Sequence, residues 1–110
     1  MRLRKEEILR KRGEIKPLFS SHHRLSGPTV VIKYLKREKR GILFATSRKI
    51  KRATQRNLLK RRLREIYRCN KDWFPQNYHF LLYAKEKAVN KSFAELKSEI
   101  ESLMKGFKDE

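Results

Sequence analysis

The sequence predicts an α+β fold: one small domain spanning residues 1–110, with elements in the order α-β-β-α-β-α and a small sheet packed by helices. Three observations carry this expectation. Two β-branched or apolar runs precede a long basic helical pattern, a nearly continuous apolar run follows it, and an amphipathic helix closes the chain. With 110 residues, 38% of them apolar and 10% aromatic, the chain supplies one modest core rather than two.

Residues 1–12, "MRLRKEEILRKR", are so dense in charge that they are expected to form a flexible basic N-terminus. "GEIKPLFSS" follows as a short helix with Gly13 near its start. Ile15, Leu18 and Phe19 fall at i, i+3 and i+4 on one side, and Pro17 is tolerable only in a first turn. "TVVIKYL", Thr29 to Leu35, comes after the breaker pair Gly27-Pro28 and reads as a strand. "KREKRG" is expected to be a charged hairpin loop closed by Gly41, with "ILFAT", Ile42 to Thr46, as the next strand.

The basic helix covers "ATQRNLLKRRLREIYR", Ala53 to Arg68. "DWFPQN" then turns at Pro75. "YHFLLYA", Tyr78 to Ala84, is nearly continuous in apolar residues, which predicts a central strand covered on both faces. In the last helix, Ser92 and Glu95 form a capping-box pattern. Phe93, Leu96, Ile100, Leu103 and Phe107 follow helical spacing, and Gly106 marks the stop.

Charge sets the functional expectation. Thirty Lys and Arg against twelve Asp and Glu leave a formal net charge of +18. Self-repulsion on that scale destabilises the compact state, so a polyanionic partner is expected, and nucleic acid is the foremost. The lone cysteine, Cys69, excludes an intramolecular disulfide or a zinc cluster, in keeping with a reducing, cytoplasmic setting. No apolar run is long enough to span a membrane.

Placed on a wheel at about 100° per residue, Leu59, Leu63, Ile66 and Tyr67 share one arc of the basic helix, fit to pack on a sheet. Asn57, Lys60, Arg61, Arg64 and Arg68 share the far arc. Gln55 and Arg56 lie near the apolar arc, where the helix start meets a cleft or a neighbouring loop. Lys60 and Arg64 repel at i,i+4, as do Arg64 and Arg68, and Glu65 is the only acid among them. A merely solvated face mixes its signs. This one is rich in Arg, whose planar fork binds phosphate bidentately.

No catalytic or metal constellation is predicted. Asp72 and Asp109 are the only aspartates, and the glutamates are scattered among cations without a paired-carboxylate pattern. His22 and His23 are neighbours in a loop beside Arg24, and adjacent residues seldom converge on one atom. His79 reads as a packed or partly exposed strand residue. Burial as a small apolar group is expected for Cys69. Most aromatics are needed for the core, and Phe19, on the short helix between two basic segments, is the candidate to stack on unpaired bases.

"SRKIKRATQRNLLKRRLREIY", Ser47 to Tyr67, resembles the signature of the protein subunit of bacterial ribonuclease P. In that family a strand runs into Ser-Lys/Arg-Lys-x-x-x-x-Ala, then Arg-Asn-Arg-x-Lys-Arg and a further Arg. Ser47, Arg48, Lys49, Ala53, Arg56, Asn57, Lys60, Arg61 and Arg64 match. The resemblance implies that an RNA subunit hydrolyses the phosphodiester with magnesium ions (Mg2+), while this chain is non-catalytic and binds no metal itself. It implies contact with the RNA core through Arg48, Lys49, Lys51, Arg52, Arg56, Asn57, Lys60, Arg61, Arg64 and Arg68. It also implies a cleft between the first helix and the sheet, involving Arg12, Ile15, Phe19, Lys33 and Tyr34, that holds the single-stranded 5′ leader of precursor tRNA. The implied partners are ribonuclease P RNA and precursor tRNA, with no protein partner required and no membrane. The family's crossover through the basic helix is left-handed, against the usual preference.

Two departures accompany the resemblance. Leu58 stands where the family commonly has the third residue of Arg-Asn-Arg, with Arg62 nearby to substitute. Ile15 and Phe19 occupy the places of two first-helix aromatics. The other functional classes are a ribosomal or general RNA-binding protein, and a protein-only ribonuclease using His22 or His23.

Overall fold

The computed structural model describes residues 7–108, and its elements run α1 (Arg12–Phe19), β1 (Arg24–Ser26), β2 (Val30–Lys36), β3 (Gly41–Thr46), α2 (Ala53–Cys69), β4 (Tyr78–Ala84) and α3 (Phe93–Lys105). Short 3-10 turns lie at Lys71–Trp73 and Glu86–Asn90. The strands make one mixed sheet in the order β1-β2-β4-β3. β4 runs antiparallel to β2 and parallel to β3, so α2 is the crossover between parallel neighbours. The apolar run of β4 therefore occupies the inside of the sheet as expected, with only Tyr83 short of burial.

Two strand relationships depart from expectation. β2 and β3 form no hairpin, because β4 lies between them and "KREKRG" bridges across it. The most apolar strand takes the doubly covered position, and that outranks adjacency in the chain. The hairpin is instead β1–β2, and β1 is a strand of only three residues that the sequence pattern does not announce. Its turn is held by Glu99 of α3. The Glu99 carboxylate accepts from the backbone N–H of Thr29 (2.9 Å) and Val30 (2.6 Å), and from the Thr29 hydroxyl (2.6 Å). A Cβ on Gly27 would stand 2.5 Å from Glu99 Oε2, so only glycine lets the carboxylate this close.

Strand alternation divides the core. Tyr78, Phe80, Leu82 and Ala84 of β4 face α2 and α3, together with Val30, Ile32, Ile42 and Phe44. Against them α2 presses Leu59, Leu63, Ile66 and Tyr67, the four residues of its predicted apolar arc, and all four are buried. From α3 come Leu96, Ile100 and Met104. The Ser92–Glu95 capping box is present with both of its hydrogen bonds, and the helix ends at Gly106. Phe93, the first residue of α3, leaves the expected stripe and is 38% exposed.

Among the described residues, the opposite face of the sheet is covered by α1 and by Leu9 just before it. Leu9, Leu18 and Leu81 form its small core, flanked by Ile15, Leu35, Leu43, Ala45 and Tyr83. Pro17 sits in the second turn of α1, not its first. The ring is exposed, so the internal hydrogen bond it removes is lost on the water side.

Residues 1–6 of the expected flexible N-terminus lie outside the described residues. Within the rest of that stretch, Glu7 and Leu9 are buried. Ile8 bridges Ile42 in parallel and Leu9 N–H donates to the Ile42 carbonyl, which caps the free edge of β3. Glu7 anchors this strap: its carboxylate accepts from Arg40 Nε (3.0 Å), Tyr67 Oη (3.0 Å) and Lys71 Nζ (2.6 Å). Burial pushes the Glu7 pKa up, but hydrogen bonds from Lys71, Tyr67 and Arg40 outweigh it and leave the carboxyl below its ordinary value. No helix among the described residues is long and apolar enough to cross a membrane.

Candidate nucleic-acid interface

The basic surface is built on a braced loop. Ser47 closes β3, its N–H donating to the Ala84 carbonyl and its Oγ accepting from Lys49 N–H at 3.1 Å. Ile50 is buried and plugs the loop into the core. Arg56, one turn into α2, reaches back and donates to the carbonyls of Ile50 (2.7 Å) and Lys51 (2.9 Å). Arg48, Lys49, Lys51 and Arg52 project from this scaffold into solvent. The first turn of α2 contains no acid, so its positive dipole end adds to theirs.

Along α2, Asn57, Arg61 and Arg64 are exposed, while Lys60 and Arg68 are half-buried. The predicted stripe thus stands on one side, but not all its charges are equally open. Arg64 lies over the Phe44 ring, 5.8 Å from its centroid. Arg68 pairs with Glu65, whose carboxyl is held low chiefly by that hydrogen bond. Arg62 donates to the Lys91 carbonyl at 2.9 Å, tying α2 to the start of α3. Leu58, where the family pattern has a cation, is 39% exposed.

The cleft residues divide. Phe19, 41% exposed, and Lys33 line a groove of about 200 Å³ with Arg24, Val31, Leu81 and Tyr83. Lys33 Nζ donates to the Phe19 carbonyl at 2.5 Å, placing its charge at the C-terminal end of α1. Ile15 packs beneath, in the small core. Tyr34 belongs elsewhere: the alternation that turns Lys33 toward α1 turns Tyr34 to the other face, edge-on to Phe107 (4.8 Å) and Tyr78 (6.1 Å). Arg12 borders a separate depression with Gly13, Lys16, Pro17 and Ser20. Tyr83 and Arg24 are groove residues that the sequence pattern did not single out. Tyr83 was legible from the β4 alternation with Leu81, whereas Arg24 required knowing that β1 exists.

Three depressions run end to end. The groove shares Tyr83 with a second of about 450 Å³, which is rimmed by Lys49, Lys85 and Lys87. The second shares Lys49 and Glu86 with a third at the start of α2. The concave track thus leads from an exposed aromatic to the basic helix, with cations along its length. Such a series of cations and ring faces suits a single-stranded polynucleotide.

Elsewhere, His22 and His23 are exposed, with the His23 ring 5.6 Å from that of Tyr34. His79 is buried, and burial holds its pKa low, more than the Glu14 carboxylate raises it. Cys69 is exposed, not buried, because it ends α2 off the arc of Leu59, Leu63, Ile66 and Tyr67 that packs into the core; its thiol lies 3.5 Å from Glu65 Oε1. Among the described residues no three His, Cys, Asp or Glu side chains converge as metal ligands.

Comparison with known proteins places this architecture. The ribonuclease P family profile matches residues 3–108. The ribonuclease P protein component of Petrotoga mobilis is 37% identical over 92 residues, covering 82% of this chain and 77% of that protein. The ribonuclease P protein of Thermotoga maritima superposes with a TM-score of 0.79 at 26% identity, over 94% of this chain and 99% of that one. A mutant ribonuclease P protein of Staphylococcus aureus shares the fold with a TM-score of 0.81 at 17% identity, over 92% of this chain and 87% of that one. With the family profile spanning nearly the whole chain and the same fold in its relatives, this chain belongs to the ribonuclease P protein family.

Proposed function

We propose that this chain is the non-catalytic subunit of ribonuclease P, that α2 and its preceding loop grip the catalytic RNA, and that the track holds the 5′ leader of precursor tRNA. Family membership makes it a component of the endoribonuclease that matures tRNA 5′ ends, partnered with ribonuclease P RNA. The observation that carries the finer reading is the continuity of the cationic loop of α2 with the groove of Phe19, Arg24, Lys33 and Tyr83. Arg61 and Arg64 neutralise phosphates of structured RNA, and Phe19 offers a ring face to an unpaired base. Magnesium in this proposal is coordinated by RNA, and no step is routed through a metal on this chain. A cytoplasmic setting accompanies this work on tRNA precursors.

The experiment is reconstitution with ribonuclease P RNA and precursor tRNA with and without a leader. The proposal expects the chain to stimulate cleavage at low magnesium and to favour the leader-bearing substrate. Equal binding of mature and precursor tRNA would indicate general RNA binding instead. Cleavage by the chain without RNA would overturn the non-catalytic assignment.

A further inference from the structure

The depressions along the track differ in what they are able to recognise. None of the residues lining the groove at Phe19 is a carboxylate or a side-chain amide. Arg24 and Lys33 donate only, Tyr83 carries a single hydroxyl, and Val31 and Leu81 are apolar, so this part is fitted to phosphates and ring faces and offers no carboxylate or amide to the donors on a base's pairing edge. The third depression, about 360 Å³ at the start of α2, has the complementary chemistry. Ile50 and Val89 provide apolar surface, and Lys49, Lys51 and Arg52 supply cations. Gln55, Glu86 and Asn90 place two amides and a carboxylate around the same space. Glu86 is exposed amid lysines, and no ion pair is formed by it among the described residues. An acid retained in a basic track opposes the phosphate attraction around it, which is compensated if it accepts hydrogen bonds from a ligand.

We propose that this depression is a base-reading subsite for one unpaired nucleotide, and that its preferred base is guanine. Guanine presents two adjacent donors on its pairing edge, which one carboxylate accepts together, while the Gln55 and Asn90 amides reach its remaining acceptors. Uracil offers a single donor. The guanine preference then arises at the start of α2, where the carboxylate and the two amides meet. The inference rests on the RNA-binding function above. The nucleotide belongs either to the leader or to ribonuclease P RNA.

The test uses the holoenzyme reconstituted with ribonuclease P RNA, and precursor tRNAs whose leaders carry guanine or uracil at each position in turn. Glu86→Gln and Gln55→Ala are compared with the parent, with thermal unfolding as a check on the fold. For a leader nucleotide, the parent prefers guanine by roughly tenfold at one position, and Glu86→Gln removes the preference. For a nucleotide of the catalytic RNA, both substitutions weaken binding of that RNA by a similar factor and leave leader preferences alone. If Glu86→Gln tightens every RNA equally, or neither substitution changes anything, Glu86 is only a solvated acid and the subsite falls. A parent chain that binds neither RNA overturns the RNA-binding function itself.

Discussion

The Arg56 guanidinium donates to the Ile50 carbonyl, six residues upstream, at 2.7 Å. This bond, with its companion to Lys51, makes Arg56 a brace for the loop that displays Arg48, Lys49, Lys51 and Arg52. A family-matched arginine thus acts here on the protein backbone. Arg56→Ala is expected to cost about 1–3 kcal/mol of stability, the range for removing charged hydrogen bonds. It is also expected to weaken RNA binding more than Arg61→Ala does, because four cations lose their setting. Denaturant unfolding and RNA titration on the same variants check both halves.

Arg61 and Arg64 are exposed on one side of α2. Replacing either by Ala is expected to flatten the salt dependence of RNA binding by roughly 0.7–0.9 log units of slope for each phosphate that is no longer neutralised. Titrations over a range of salt concentrations measure this, and an unchanged slope means that the side chain meets only water.

Leu63 is fully buried between α2 and the sheet. Leu63→Ala is expected to lower folding stability by about 2–5 kcal/mol, as truncation of a closely packed core residue does. A loss well under that range in chemical denaturation would place Leu63 outside the main core.

Acid is expected to lower the stability of this protein over two pH ranges. Burial lowers the pKa of His79 below its ordinary 6.5, so the unfolded chain binds the proton more readily, and stability falls as pH drops below that value. The Glu7 carboxyl also titrates below its ordinary 4.5, so its stabilisation is complete above that value and lost as pH falls further. Glu7→Gln is expected to destabilise by roughly 1–3 kcal/mol at neutral pH, with Lys71 and Arg40 left short of their acceptor. That deficit should shrink below pH 4.5, which thermal unfolding across the pH range will show.

What the sequence makes legible is what depends on local period. The apolar arc of α2, the capping box of α3 and the doubly covered β4 are each written in a few consecutive residues. What it hides depends on distant partners. The β2–β3 hairpin was expected because the two strands are neighbours in the chain, yet β4 separates them from far along the sequence. Lys33 and Tyr34 are consecutive, so placing one of them in the groove excludes the other, and only the sheet register decides which. The wheel set Arg56 beside a neighbouring loop, but nothing in the sequence shows that Arg56 and Arg62 each end on a backbone carbonyl. The cationic side of α2 was therefore visible as a class, but the tasks of its individual arginines were not.

The central claim is that this chain assists a catalytic RNA in removing the leader of precursor tRNA. It is tested most directly by measuring precursor cleavage by ribonuclease P RNA at low magnesium, with and without the chain. Faster cleavage in its presence, none by the chain alone, and a smaller stimulation by the Arg61→Ala/Arg64→Ala double variant are the results expected. No stimulation by a folded chain, or cleavage without the RNA, would contradict the claim.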